Sequence, residues 1–391
     1  MKVFILIPWF YPAYKAGGPI QSITNLILAL QEKYSFSVIT SAYDLQSKHL
    51  LPNINPDKWN SILLPGSTSA IPVWYSSTAG QNYKTFNQLI ITGKPDFIYL
   101  NSIYSIWFTL LPLIIIKTAG IRTTPIICPR GMLQRGNVTS KYIKKKVFIN
   151  LLNLSGLLSK CVWHATNAEE KNDILTHMKR TGEIIIASNI PKKPLLEITL
   201  SNKIPGRLRL IYLSLISSKK NLYFLLELLQ KIPENVSLDI YGPVKDKGYW
   251  KECIKLIAPM RGKVKYMGDI LPAEVQHTFC KYDASILLTK GENFGHALYE
   301  GLSVGRPIIT SYFTPWNDLQ KLSGGWNLNI KDSNECITIL KEITNISQNE
   351  YNSFCVGAFS QANNYFDSLN IHKNYGRLFS FNSLENSLND F

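Results

Sequence analysis

The chain has no closely spaced cysteines. Its six, Cys128, Cys161, Cys253, Cys280, Cys336 and Cys355, lie far apart, so no C-x-x-C pair exists to bind zinc or cycle through a disulfide. Most sit in apolar contexts and read as buried free thiols, which suits a reducing cytosol. A long apolar run is also missing. The most hydrophobic window, "IWFTLLPLIIIKTAG", falls short of the roughly twenty residues that span a bilayer and contains Pro112 and Lys117; it reads as a buried or interfacial helix. The opening "MKVFILIPWF" does not read as a signal peptide, because Pro8 is followed by large aromatics rather than a small-residue cleavage site. No fixed-period repeat is present. Acidic residues are in short supply: 27 Asp+Glu against 42 Lys+Arg leave a formal net charge of +15. That excess fits an anionic partner (nucleic acid, an acidic membrane surface or a phosphorylated substrate) or else a solvated surface. No nucleic-acid-binding motif accompanies it, so nucleic acid is not an expected partner.

What the chain does have is length and a regular alternation. Its 391 residues, 45% of them hydrophobic, suit two cores rather than one. "KVFILIP", "FSVIT", "PDFIYLN", "TPIICP", "CVWHATN" and "EIIIAS" read as strands, with helical periods between them, as in "GGPIQSITNLILALQEK". "SNIPKKPLLEITLSNKIPGR" interrupts the rhythm with three prolines, and it restarts at "RLRLIYLSL", "SLDIYG", "KVKYMGD", "ASILLTK" and "RPIIT". The pattern predicts an α/β protein of two doubly wound, Rossmann-like domains on parallel sheets, facing a cleft. Residues 1–190 form the first domain and 191–365 the second. A last helix, within about 366–391, crosses back to the first domain, and "SFNSLENSLNDF" reads as a frayed tail.

The most informative stretch is "TKGENFGHALYEGLSVGRPII". A buried strand precedes it, and a helix begins at Gly295. The first-turn N–H groups of such a helix carry partial positive charge and suit a diphosphate. Glu292 lies in the turn before the helix and Glu300 one turn and a half into it. Carboxylates accept hydrogen bonds from vicinal hydroxyls, so one could read a sugar and the other a ribose. Two surface glutamates flanking a loop are the alternative.

"GENFGHALYEGLSVGRPII" resembles the E-x7-E signature of the retaining glycosyltransferases of family 4, which have the GT-B fold. "GGPIQSI", "CPRGML", "SKKNL", "IYGP" and "TPWNDL" follow the family's order and are most similar to bacterial enzymes of surface-polysaccharide assembly. The resemblance implies a donor sugar at Glu292, a ribose at Glu300, and a loop and helix start around sugar and phosphate formed by Asn293, Phe294, Gly295, His296 and Ala297. It implies a diphosphate at Lys220, with Lys219 and Gly242 nearby, and a base against the backbone at Gly268. Gly17 and Gly18 would form a loop that lets the first domain's backbone approach donor and acceptor, and Arg130 would contact acceptor or phosphate. The expected activity is a retaining, front-face transfer from a nucleoside diphosphate sugar, UDP being the nucleotide, to a lipid-linked saccharide in O-antigen or capsule assembly.

Two absences qualify the resemblance. No D-x-D pair is present, the motif with which metal-dependent transferases of the other main fold hold a cation. Neither a metal nor a cofactor is therefore expected, the leaving diphosphate being neutralised by lysines and a helix terminus. The family also places Gly-Arg five residues before the second lysine of "KKN", where this chain has Ser214 and Leu215. That gap keeps a second reading open, a catalytically weak homologue binding nucleotide or glycan in an assembly complex. Finally, "SKYIKKKVFINLLNLSGLLSK" reads as a helix with Lys141, Lys144, Lys145 and Lys146 clustered beside a long apolar side. It suits an anionic membrane interface, or else a core helix with a solvated end. The expected location is cytoplasmic, peripheral to the inner face of the cytoplasmic membrane.

Overall fold

The computed structural model describes residues 1–134, 142–179, 181–198, 200–232, 235–260 and 262–380. The chain divides into two units. One comprises Met1–Ile190 together with the segment from Leu369; the other is Pro191–Ser368.

Unit 1 is built on an eight-stranded sheet of order β3-β4-β2-β1-β5-β6-β7-β8. Its strands are β1 (Lys2–Leu6), β2 (Ser35–Ser41), β3 (Trp59–Leu63), β4 (Ala70–Ser76), β5 (Phe97–Leu100), β6 (Thr124–Ile127), β7 (Val162–Ala165) and β8 (Ile184–Ile186). The central strands are predominantly apolar and buried on both faces apart from Lys2 at the start of β1, as parallel strands covered by helices must be. Helix α1 (Gly18–Leu30) shows how the cover forms: Pro19 opens it, and Ile20, Ile23, Leu26, Ile27 and Leu30 recur on one buried side. Its companions are α2 (Tyr83–Gly93), α3 (Leu111–Thr118), α4 (Tyr142–Leu154) and α5 (Ala168–His177). The sheet is not wholly parallel: β3 runs antiparallel to β4. Neither strand was foreseen, because Pro72 and the surrounding turn residues mask the β pattern of an edge pair.

Unit 2 carries an all-parallel sheet of order β11-β10-β9-β12-β13-β14. Its strands are β9 (Leu208–Leu213), β10 (Val236–Tyr241), β11 (Val264–Gly268), β12 (Ala284–Leu287), β13 (Ile308–Ser311) and β14 (Gly325–Leu328). Helices α6 (Leu222–Gln230), α7 (Lys247–Ile257), α8 (Val275–Phe279), α9 (His296–Ser303), α10 (Ser333–Asn345) and α11 (Gln348–Ser368) surround it. The expected α/β fold of two Rossmann-like domains is thus what the structure has.

The long terminal helix is two helices. Between α11 and α12 (Ile371–Leu378) the chain leaves unit 2 and returns to unit 1. There Phe379 is fully buried against Tyr34, Phe36, Phe97 and Tyr99, and the Tyr375 hydroxyl donates to the Ser188 carbonyl at 3.0 Å. The tail at 381–391 and Lys141 lie outside the described residues. Five of the six thiols are buried; burial pushes Cys128 and Cys161 up to about 12, and Cys253 and Cys336 up to about 11. These thiols are inert packing groups.

Candidate active site

In unit 2 the strand order reverses between β9 and β12, and ligands of open α/β sheets bind beyond the carboxyl ends of the strands at such a point. The loops that follow these two strands carry the charged residues singled out above. After β9 a short 3-10 turn, Ser218–Lys220, ends at Asn221, which is in the left-handed region and precedes α6. After β12 the chain runs through Thr289, Lys290 and Gly291 to Glu292. The two loops are stitched together. The Lys290 N–H donates to the Lys219 carbonyl at 2.9 Å, and the Thr289 hydroxyl to the same oxygen at 3.2 Å. The Tyr212 hydroxyl reaches the Lys220 carbonyl, and Ser311 from β13 holds the Thr289 carbonyl.

This scaffold brings Lys220 and Glu292, 72 residues apart, into an ion pair. The lysine side chain is 20% exposed and the glutamate 10%, so the pair lies at the surface but is largely shielded from water. Glu292 is fixed further through its N–H, which donates to the Phe313 carbonyl at 2.9 Å. Both side chains are thus held by contacts within the unit. Lys219 packs beside them, its Cε lying 3.4 Å from where a Cβ on Gly291 would stand.

Helix α9 starts immediately after Gly295, which adopts φ +80 and offers no side-chain cap. The N-terminal turn of His296 and Ala297 is thus an uncapped helix end, carrying the positive end of the helix dipole. Phe294 anchors the turn. Its ring packs among Tyr299, Trp316 and Tyr365, and its carbonyl accepts from the Trp316 indole at 2.7 Å. The His296 ring leans edge-on to Phe294 at 4.8 Å, and Asn293 lies half-buried between Glu292 and Phe294. Glu300 lies on α9 and is buried, so it stands deeper than Glu292. Among the described residues no three His, Cys, Asp or Glu side chains are placed to hold a metal ion.

Gly242 follows β10 and Gly268 ends the neighbouring β11. The Gly268 carbonyl accepts from the Gly242 N–H at 2.9 Å. Gly242 has φ +124, and a Cβ there would come within 2.1 Å of the Ser214 carbonyl oxygen. Only glycine lets the loops after β9 and β10 approach so closely. Leu215, where the resemblance led us to expect arginine, lies half-buried in the turn just past β9 rather than in the strand.

The motifs also placed residues in unit 1. Gly17, at φ +68, precedes α1, and Gly18 is the helix's first residue. Arg130, at φ +54 in the turn after β6, faces inward. Its guanidinium makes four hydrogen bonds: two to the Asn101 side-chain oxygen at 3.1 and 2.9 Å, one to the Tyr99 hydroxyl at 2.9 Å, and one to the Asn189 side-chain oxygen. The Tyr99 hydroxyl donates in turn to Nδ1 of His164 at 2.6 Å, whose Nε2–H donates to the Ala187 carbonyl at 2.7 Å. Burial, with Arg130 adding to it, lowers the His164 pKa to about 3, so this imidazole is neutral. Next to it, buried Glu170 accepts from the Gly131 N–H and from the Thr166 N–H and hydroxyl. Arg130 was expected to face a ligand; most of its donors are instead used within the unit.

Sequence reasoning missed Lys245, in the loop after β10. A parallel bridge pairs Ile216 with Val244, and the Lys245 N–H donates to the Ile216 carbonyl at 3.1 Å. Its ammonium is held below the ordinary lysine value, first by burial of the charge and then by the charge of Lys220. The motif "IYGP" ends two residues before it.

Comparison with solved structures identifies the architecture. Over 97% of this chain and 99% of the other, it superimposes on Anabaena HepE, solved in complex with UDP and glucose, with a TM-score of 0.71 at 16% identity. It matches the sucrose-phosphate synthase of Thermosynechococcus elongatus over 99% of this chain and 100% of that one, TM-score 0.72 at 13% identity. It also matches WaaG, a glycosyltransferase involved in lipopolysaccharide biosynthesis, over 97% and 99%, TM-score 0.62 at 12% identity. The fold is therefore GT-B. Residues 199–319 further match the family described as Glycosyl transferases group 1, a span that includes Lys220, Lys245, Glu292 and Glu300. Together these findings support a GT-B glycosyltransferase. No curated protein is similar at a significant level.

Proposed function

We propose that the protein transfers a glycosyl unit from a nucleoside diphosphate sugar, UDP being the nucleotide, to a lipid-linked saccharide at an anionic membrane, with retention and without a metal. The observation that carries the donor assignment is the Lys220–Glu292 pair at the switch point, beside the uncapped N-terminus of α9. HepE, of the same fold, was solved with UDP and glucose, which favours this ligand class. In the proposed step the acceptor hydroxyl attacks the anomeric carbon from the side on which the diphosphate leaves. The bond from anomeric carbon to phosphate oxygen breaks, and that oxygen takes the acceptor's proton. Lys220 and the α9 terminus stabilise the negative charge on the leaving group. Glu292 orients the sugar through its hydroxyls, and Glu300 holds the ribose.

The membrane part of the reading is supported by α4. Ile143, Val147, Leu151 and Leu154 are 75, 52, 63 and 82% exposed. At about 100° per residue they fall within an arc of about 80° on one side of the helix. Lys144 and Lys146, both exposed, flank that stripe, while the Lys145 ammonium turns to the Tyr104 ring at 5.4 Å. An apolar stripe edged by lysines is the pattern of an interfacial helix. No helix among the described residues is long and apolar enough to cross a membrane.

The donor reading is tested with Glu300→Gln. An amide is a poorer partner for two ribose hydroxyls, so affinity for the preferred nucleoside diphosphate should fall by roughly 1–3 kcal/mol. Calorimetry with UDP, GDP and ADP measures it; unchanged affinity removes Glu300 from the ribose site. The membrane reading is tested by vesicle sedimentation: Lys144→Gln with Lys146→Gln should release the protein from anionic vesicles, each lysine contributing about 1 kcal/mol, and equal sedimentation would refute it.

A further inference from the structure

We propose that Lys245 is a second cationic contact to the donor's diphosphate, acting beside Lys220. The inference rests on the donor site proposed above and adds a residue from a third loop, the one after β10.

The Ile216–Val244 bridge and the Lys245 and Asp246 N–H groups, which donate to the Ile216 carbonyl at 3.1 and 3.2 Å, clamp the loop after β10 onto the loop after β9. Gly242 allows the clamp by giving way to the Ser214 carbonyl. Lys245 is thus held against the turn that carries Lys219 and Lys220. The position that lacks the expected guanidinium, Leu215, adjoins Ile216 in the same clamp. A cation can therefore reach this turn from the partner loop.

Lys220 is engaged by Glu292, so that pair brings little net charge to a diphosphate carrying at least two negative charges. Lys245 supplies a positive charge that the Lys220–Glu292 pair alone does not. Its side chain is exposed, yet protein around the ammonium and the nearby Lys220 both hold its protonated form at a disadvantage. Two ammonium groups kept within each other's field repel. An anion bridging them turns that repulsion into attraction, which gives the arrangement a use that a solvated lysine lacks.

The test uses the whole protein and calorimetry with UDP, GDP and ADP, continuing with whichever binds tightest and with its parent nucleoside. Lys245→Met should weaken the diphosphate about tenfold, as for one charged hydrogen bond, and leave the nucleoside unchanged. Lys245→Arg should keep the diphosphate affinity. Removing a repelling, desolvated ammonium should leave the melting temperature of Lys245→Met at or above the parent's; Lys245→Gln serves if the methionine variant fails to fold. Equal losses for nucleoside and diphosphate would show a merely structural role and overturn the proposal. Unchanged diphosphate affinity in Lys245→Met, with weakened affinity in Lys220→Ala and Glu300→Gln, would overturn it while sparing the donor site. A parent protein that binds none of the three diphosphates would sink both.

Discussion

The two sheets use their carboxyl-terminal edges in opposite ways. In unit 1 the charge there is spent internally. Arg130 spans Asn101, Tyr99 and Asn189, and the chain of hydrogen bonds runs on through His164 to a backbone carbonyl. Every partner of that guanidinium is neutral, and the network ties the turn after β6 to β5, β7 and the segment after β8. In unit 2 three lysines and a glutamate gather at the mouth, with Lys220 and Lys245 close enough to disfavour one another. One edge is a finished hydrogen-bond network; at the other, like charges lie near one another, and the proposed anion would offset them. The same architecture thus carries an internal hydrogen-bond network in one sheet and, on the reading proposed above, a binding site in the other.

Deleting one cation from each unit separates the two roles. Lys220→Ala should lower turnover on the order of 10²–10³-fold, as for the loss of one preorganised donor, with some loss of stability because the shielded Glu292 carboxylate loses its partner. Arg130→Met should act on stability alone. It strands the Asn101, Asn189 and Tyr99 groups in the interior, at about 1–3 kcal/mol for each buried group left unsatisfied, while nucleoside diphosphate affinity holds. Chemical denaturation and calorimetry on both variants give the two readouts. A stable Arg130→Met protein that loses turnover would return Arg130 to the reacting groups, as its motif first suggested.

Acid separates the edges next. An ordinary histidine, with a pKa near 6.5, takes up its proton as pH falls, whereas native His164 stays neutral down to about 3. The unfolded state therefore binds the proton first, and stability is lost as pH falls through the window between those values. From pH 7 to 5 this amounts to about 2 kcal/mol. Urea midpoints across that range should fall for the parent and fall less for His164→Gln; parallel slopes would show that His164 titrates normally. The smallest effect is expected at Leu215→Arg. Leu215 lies in a half-buried turn, so a guanidinium there reaches the Lys220 side with little desolvation. Nucleoside diphosphate affinity should rise by about 1 kcal/mol. A stable variant with unchanged affinity would mean that the turn directs residue 215 elsewhere.

How legible was all this beforehand? Most of the parallel strands were, because a strand buried on both faces reads as an unbroken apolar run, as in "FIYL" or "ASIL". The antiparallel edge strand β3, its neighbour β4 and the other sheet's edge strand β14 were not, since β3 alternates between exposed and half-buried residues, β4 contains Pro72 and β14 is only four residues long with Asn327 inside it. The E-x7-E spacing pointed to Glu292 and Glu300, and "SKKN" to Lys220. No spacing announced that Lys220 and Glu292 pair, because 72 residues and two crossovers separate them. Arg130 was legible as a special residue but not in its direction, which depends on Asn101 and Asn189 arriving from distant turns. Lys245 escaped because one lysine among 42 Lys+Arg carries no signal until the Ile216–Val244 bridge places it. Sequence exposes local periodicity; it conceals which solitary charges the sheet order brings together.

The return of the chain at Leu369 has a consequence for synthesis. Unit 2 is contiguous, so all its strands and helices have left the ribosome once Ser368 has. Unit 1 begins first and finishes last: Tyr34, Phe36, Phe97 and Tyr99 are made early, yet the ring that closes over them is Phe379. Between the emergence of Tyr99 and that of Phe379, the nascent first unit carries an aromatic socket without its plug. Release of the last helix then completes the unit that emerged first.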